Sequence, residues 1–219
     1  GTLPTAPTKT GYTFTGWNTQ ADGSGTAFTE VTPVTGNITV YAQWVIKVTD
    51  VTLNTSAITL AVSATETLTA TVSPENASNK NVTWSSNNEA VATVAAGVVT
   101  AVSAGEATIT VTTEDGDCTA TCTVTVQPVP IADFACTGNN GTDATFTWTA
   151  AVGATSIEIQ QSTDEGKTWT TAYTAPIEAT AASAKVVGLT AGAIYQFKLV
   201  VTGGNNAGDS NIKNMITNT

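Results

Sequence analysis

Asn81-Val82-Thr83-Trp84-Ser85-Ser86-Asn87-Asn88 is the stretch on which the fold of this chain turns. Val82 and Trp84 alternate with polar Thr83 and Ser85, the two-residue period of a strand with one buried face. The Ser/Asn cluster that follows has turn chemistry and stops the strand. Upstream, Thr65–Pro74 alternates in the same way; downstream, 91–94, 98–102, 107–111 and 122–126 do so again. Short alternating strands separated by turn residues predict a β-sandwich over Val48–Val126, with Trp84 on a central strand as its core anchor.

The bulk composition limits what such a chain does. It has 219 residues and a formal charge of −10, with no His, and all seven of its basic residues are Lys. An acidic chain without Arg offers neither a guanidinium fork for phosphate nor a basic patch, which argues against nucleic acid as a partner. Without His, Ser-His-Asp and Cys-His catalysis are excluded. The 17 acidic residues fall in turns and on solvated strand faces, where nothing buries and tunes a carboxylate pair. No apolar run approaches the roughly 20 residues that cross a bilayer. A secretory leader pattern is also absent, so a mature product or an excised piece is expected.

The cysteines carry no disulfide framework. Cys118 and Cys122, four residues apart on one expected strand, would lie ~13 Å apart at strand rise, beyond bridging distance. Cys136 falls in the next module. All three are expected as free thiols, with Cys122 packed as a small hydrophobe.

The blocks TLTATVSPENASNKNVTWSSNNEAVATV and GVVTAVSAGEATITVTTEDGDCTATCTVTV resemble the group 2 bacterial immunoglobulin-like domain along their whole length. In residues 1–44, the blocks GYTFTGW and YAQW resemble the Listeria–Bacteroides repeat, a small β-grasp unit related to the internalin B-repeat. Two strands are expected there, over 11–17 and 37–44. That family opens with a strand and a Gly-Gly turn, which the match here lacks. The resemblance therefore implies an unpaired sheet edge, covered by a neighbouring molecule or by the second module, or else a mobile first module.

From Ile131 onward, 144–149, 156–161 and 194–201 read as strands. Trp148 and the block VVGLTAGAIYQFKLVVTGGNNAGDSN resemble a fibronectin type III domain. Leu189, six residues before Tyr195, fits that family and implies a tyrosine corner at Tyr195. The family's integrin tripeptide is absent, since Ala207 stands before Gly208-Asp209-Ser210. The expectation is all-β: a β-grasp-like repeat over 1–46, then immunoglobulin-like sandwiches over 47–127 and 128–219. Val45-Ile46-Lys47 and Gln127-Pro128-Val129-Pro130 join them, with little freedom to bend.

Two short motifs suggest chemistry. Ser162-Thr163-Asp164-Glu165-Gly166-Lys167-Thr168-Trp169 resembles the Asp box of sialidase propellers. Those enzymes clamp a carboxylate with arginines, and this chain has none, so a hairpin turn capped by Asp164 is expected instead. Glu114-Asp115-Gly116-Asp117 reads as another hairpin turn and lacks the ligand spacing of a calcium loop. Trp17, Trp44, Trp84 and Trp148 are expected on core faces. Trp169, with Tyr173 nearby, is the candidate for exposure and for stacking on a sugar.

No catalytic, metal or cofactor residue is assigned, and the binding residues stay open. The expected role is a non-catalytic segment of a bacterial surface or secreted protein, an elongated stalk and adhesion scaffold. The alternative is a carbohydrate-binding or spacer appendage of a larger secreted glycan-degrading enzyme. Host or cell-surface proteins or glycans are the expected partners, and a monomer the expected state.

Overall fold

The structure is a computed structural model that describes residues 2–172 and 176–218. The described elements are all strands, and their sheets form three groups that follow one another along the chain. The first sheet has three strands: β1 (Tyr12–Asn18), β2 (Ala27–Phe28) and β3 (Tyr41–Ile46), in the order β2-β1-β3 and antiparallel throughout. β1 carries a bulge between Phe14 and Gly16. The strand expected from residue 37 starts only at Tyr41. Asn18↔Tyr41 is the last rung, and beyond Asn18 the chain bends into a loop, so Asn37–Val40 has nothing to pair with. Before β1, the described residues make only an isolated Lys9↔Tyr12 bridge.

The second unit is a sandwich. Its larger sheet runs β5 (Ala57–Ala61), β12 (Thr119–Gln127), β11 (Gly105–Thr113) and β8 (Val82–Ser86). Ala107, Ile109 and Val111 alternate inward along β11, facing Cys122 and Val124 from β12, while the threonines between point outward. Facing it are β6 (Thr65–Thr67), β10 (Val98–Ala101) and β9 (Ala92–Ala95), with β4 (Asp50–Leu53) paired to β7 (Ala70–Ser73). β5 runs parallel to β12, the one parallel pairing among the described strands.

Two expectations for this unit need correction. Thr65–Pro74 is not one strand. It breaks at Leu68, whose side chain is 2% exposed, so that β6 joins β10 and β7 joins β4. The Leu68 N–H donates to the Gly97 carbonyl at 2.8 Å, and Asn54 takes the Thr69 N–H. Trp84 is not a buried central anchor. β8 is the outer strand of its sheet, and Trp84 is half-buried, covered by the β9–β10 turn at Gly97. Aliphatic residues, with Leu68, Val99, Ile109 and Val124 at the centre, make the core instead.

The third unit pairs β13 (Ala135–Asn139), β14 (Asp143–Thr147) and β17 (Ser183–Val187) in one sheet. The other holds β16 (Thr170–Thr171), β15 (Ser156–Ser162) and β18 (Ile194–Thr202). β19 (Gly208–Asp209) and β20 (Lys213–Ile216) follow along the far side of β18. Phe134, Phe146 and Phe197 fill the space between, with ring centroids 5.0 and 4.8 Å apart. Trp148 lies just past β14 and is 4% exposed.

Both connections are hydrogen-bonded. Ile46, the last residue of β3, exchanges bonds with Ser78 of the second unit. Two residues further on the backbone is held again, where the Val48 N–H donates to Asp115 Oδ2 at 3.0 Å. In the proline-marked connection, the Val129 N–H donates to the Asn205 carbonyl, and Asn206 Nδ2 donates to the Val129 carbonyl. Asn205 Oδ1 also accepts from the Ala104 N–H at 2.9 Å, tying the β10–β11 turn to the third unit.

Candidate functional site

The Asp-box stretch forms the turn between β15 and β16, with Gln161↔Thr170 closing the ladder. Ser162 is 3% exposed, and its Oγ donates to Asp164 Oδ1 at 2.7 Å while accepting the Gly166 N–H at 2.9 Å. Asp164 then takes the Thr168 N–H on Oδ1 at 2.9 Å and the Thr168 hydroxyl on Oδ2 at 2.6 Å. These donors favour the ionised carboxylate and hold Asp164 down at about 2, the Thr168 hydroxyl foremost. Gly166 has φ of +82°, a conformation that strains any residue with a Cβ. Its carbonyl accepts the Trp169 indole N–H at 3.0 Å. The polar groups of the motif are therefore spent largely inside the turn.

Trp169 is half-buried, and the Lys198 ammonium lies 4.7 Å from its ring centroid while paired to Asp209 at 2.6 Å. Its open stacking face is therefore smaller than expected. Tyr173, its suggested companion, lies outside the described residues. A small cleft of about 200 Å³ beside this turn is lined by Glu165, Tyr195, Gln196 and Asn214.

The acidic turn 114–117 closes the β11–β12 hairpin, with Gly116 and Asp117 at φ of +83° and +51°. Glu114 accepts from Asn81 Nδ2 at 3.0 Å, and Asp115 from Val48. Among the described residues, no three of His, Cys, Asp or Glu converge as a metal site requires. Cys118, Cys122 and Cys136 are free thiols, and burial raises the thiol of Cys122. Tyr195 is buried, and its hydroxyl accepts the Thr190 N–H at 3.2 Å.

The remaining tryptophans divide. Trp148 is buried, whereas Trp17 and Trp44 are only half-buried, although core faces were expected for both. The first sheet is too small to cover them: among described residues 2–46 no hydrophobic side chain is buried. Instead Tyr12, Trp44, Phe14 and Trp17 touch in sequence, with centroids 6.4, 5.7 and 5.3 Å apart. The Lys9 ammonium sits 3.6 Å from the Tyr12 centroid. Sequence reasoning singled out the two tryptophans but not Tyr12, Phe14 or Lys9. The signal was there in the short length of the repeat, which leaves its rings without a second layer.

Two family matches fall on the first and second units. Residues 47–124 match the bacterial Ig-like domain (group 2), and residues 1–43 match the Listeria-Bacteroides repeat domain. Both families are typical of bacterial surface or secreted proteins. An alpha-L-arabinofuranosidase of Bifidobacterium longum is 59% identical over 63 residues, 28% of this chain and 6% of that protein. An Ig-like virion protein of Serratia phage KSP90 is 48% identical over 75 residues, 33% of this chain and 29% of that protein. The chain thus spans less than a third of each relative's length. Among solved structures, a two-domain fibronectin type III segment of chicken tenascin aligns with 79% of this chain and 99% of its own, at 15% identity and a TM-score of 0.49. No described helix is long and apolar enough to cross a membrane.

Proposed function

We propose that this chain is a non-catalytic segment of a bacterial surface or secreted protein, holding other parts of that protein at a distance as a stalk and adhesion scaffold. Its three modules are read as 1–46, 47–127 and 128–219. The observation that carries this reading is the pair of strapped connections, at Ile46–Ser78 and at Ala104–Asn205. A chain that only links domains has no need of side chains that fasten its joints. Restricting those joints is what a spacer requires.

A second reading is favoured by the arabinofuranosidase relative: an appendage of a larger secreted enzyme that acts on glycans. The coding sequence on either side separates the two. A wall-anchoring signal or an array of further modules supports the stalk, and a catalytic domain supports the appendage.

A further inference from the structure

The aromatic ladder of the first sheet borders an open groove of about 500 Å³. Its lining combines the aromatic residues Tyr12 and Trp44, the hydroxyl-bearing Thr8 and Thr10, and the cationic Lys9 and Lys47. From this combination we propose that the groove binds an acidic saccharide, a glycan whose sugar rings carry carboxylates. The inference goes beyond the scaffold reading and does not rest on it.

Charge is the first argument. Two of the chain's seven lysines line one groove of a molecule whose net charge is −10. Among the described residues, neither makes an ion pair, whereas Lys185 and Lys198 each hold an aspartate. The Lys9 ammonium lies over the rings, 3.6 Å from the Tyr12 centroid and 6.0 Å from that of Trp44. Attraction to the ring faces keeps it at the groove and leaves its N–H donors for an anion. The acidic hairpin tip lies beside Lys47, but the Asp115 carboxylate there is turned to the Val48 N–H.

The remaining chemistry suits a sugar. The C–H face of a pyranose is apolar and gains by covering a half-exposed aromatic ring. Its hydroxyls need both donors and acceptors. The Thr8 and Thr10 hydroxyls supply both and have no partner among the described residues. A groove of this volume falls within the ordinary range for small-ligand sites, about 300–1,000 Å³. Single-stranded nucleic acid also combines anions with stackable rings. Its phosphates are best met by the bidentate fork of Arg, which this chain lacks, so the saccharide is favoured.

The test is a titration of the full chain, followed by amide NMR and calorimetry, with tetragalacturonate as probe. Maltotetraose, a short oligothymidylate and a poly-glutamate peptide are the comparisons. Saturable binding of tetragalacturonate is expected, with shifts centred on residues 8–14 and 44–47. Maltotetraose should bind about tenfold more weakly, and Lys9→Gln with Lys47→Gln should weaken tetragalacturonate by about tenfold while leaving the thermal midpoint unchanged. The proposal is overturned by absence of saturable binding through the millimolar range, or by equal affinity for maltotetraose. It is overturned equally by binding that survives the double substitution, or by tighter binding of the oligonucleotide or the peptide.

Discussion

Ile46 and Ser78 hold each other by two hydrogen bonds. The Ile46 N–H donates to Ser78 Oγ at 2.7 Å, and the Ser78 N–H donates to the Ile46 carbonyl at 3.0 Å. The end of β3, an edge strand of the first sheet, is therefore paired to the second unit, which covers part of that edge. Ser78→Ala removes the side-chain bond and should cost about 0.5–1.5 kcal/mol. Amide hydrogen exchange of residues 41–46 should quicken relative to β11 and β12. Unchanged exchange would show that Ser78 does not hold this joint.

Fastened joints should show in solution dimensions. A single compact body of this length has a radius of gyration of ~17 Å. A row of units, each ~30–40 Å long, approaches ~30 Å. Small-angle scattering in dilute solution is expected to give the larger value. The smaller one would mean that the units fold back on one another, and the stalk reading would fail.

Asp164 gives a pH signature. Its folded-state value of about 2 lies below the ordinary 3.8, so its stabilising effect is complete above about pH 4 and is lost as pH falls toward about 2. Asp22, Asp133 and Asp143 are lowered too, so the whole protein's acid response is shared. The informative quantity is the difference between wild type and Asp164→Asn. Their thermal midpoints should differ by a few degrees at neutral pH and converge near pH 2. A difference independent of pH would mean that the carboxylate charge is irrelevant to the turn.

Tyr195→Phe keeps the ring in place and removes the acceptor of the Thr190 N–H. Leaving that donor unpaired beside a buried ring should cost about 1–2 kcal/mol in urea denaturation, with an unchanged slope. A neutral substitution would indicate that water replaces the hydroxyl without loss.

Much of this arrangement could be read from residue order. The alternation in 105–113 and 119–127 is clear because each strand buries one face and wets the other. The turns at Gly116 and Gly166 were legible because few residues other than Gly adopt their φ values. β4 and β5 were missed. AITLA alternates over too few residues to stand out, and its pairing with β12 is a long-range contact that no local pattern encodes. β13 and β17 were missed for a similar reason, since both lie at weakly alternating stretches of the third unit. Trp17 and Trp44 were misplaced because alternation identifies a shared face but not whether a second layer covers it. Asp164 was placed well because its partners, Ser162 and Thr168, are only two and four residues away.

The parallel pairing of β5 with β12 has a mechanical consequence. β5 lies near the start of the second unit and β12 at its end, with Ala57–Ala61 alongside Thr123–Gln127. Tension applied through the two ends of that unit pulls these strands in opposite directions along their length. The bonds between them are then loaded together in shear, not opened one after another as in an antiparallel hairpin pulled from its free ends. The unit is therefore closed by a clasp that resists pulling along the chain more than peeling from the side.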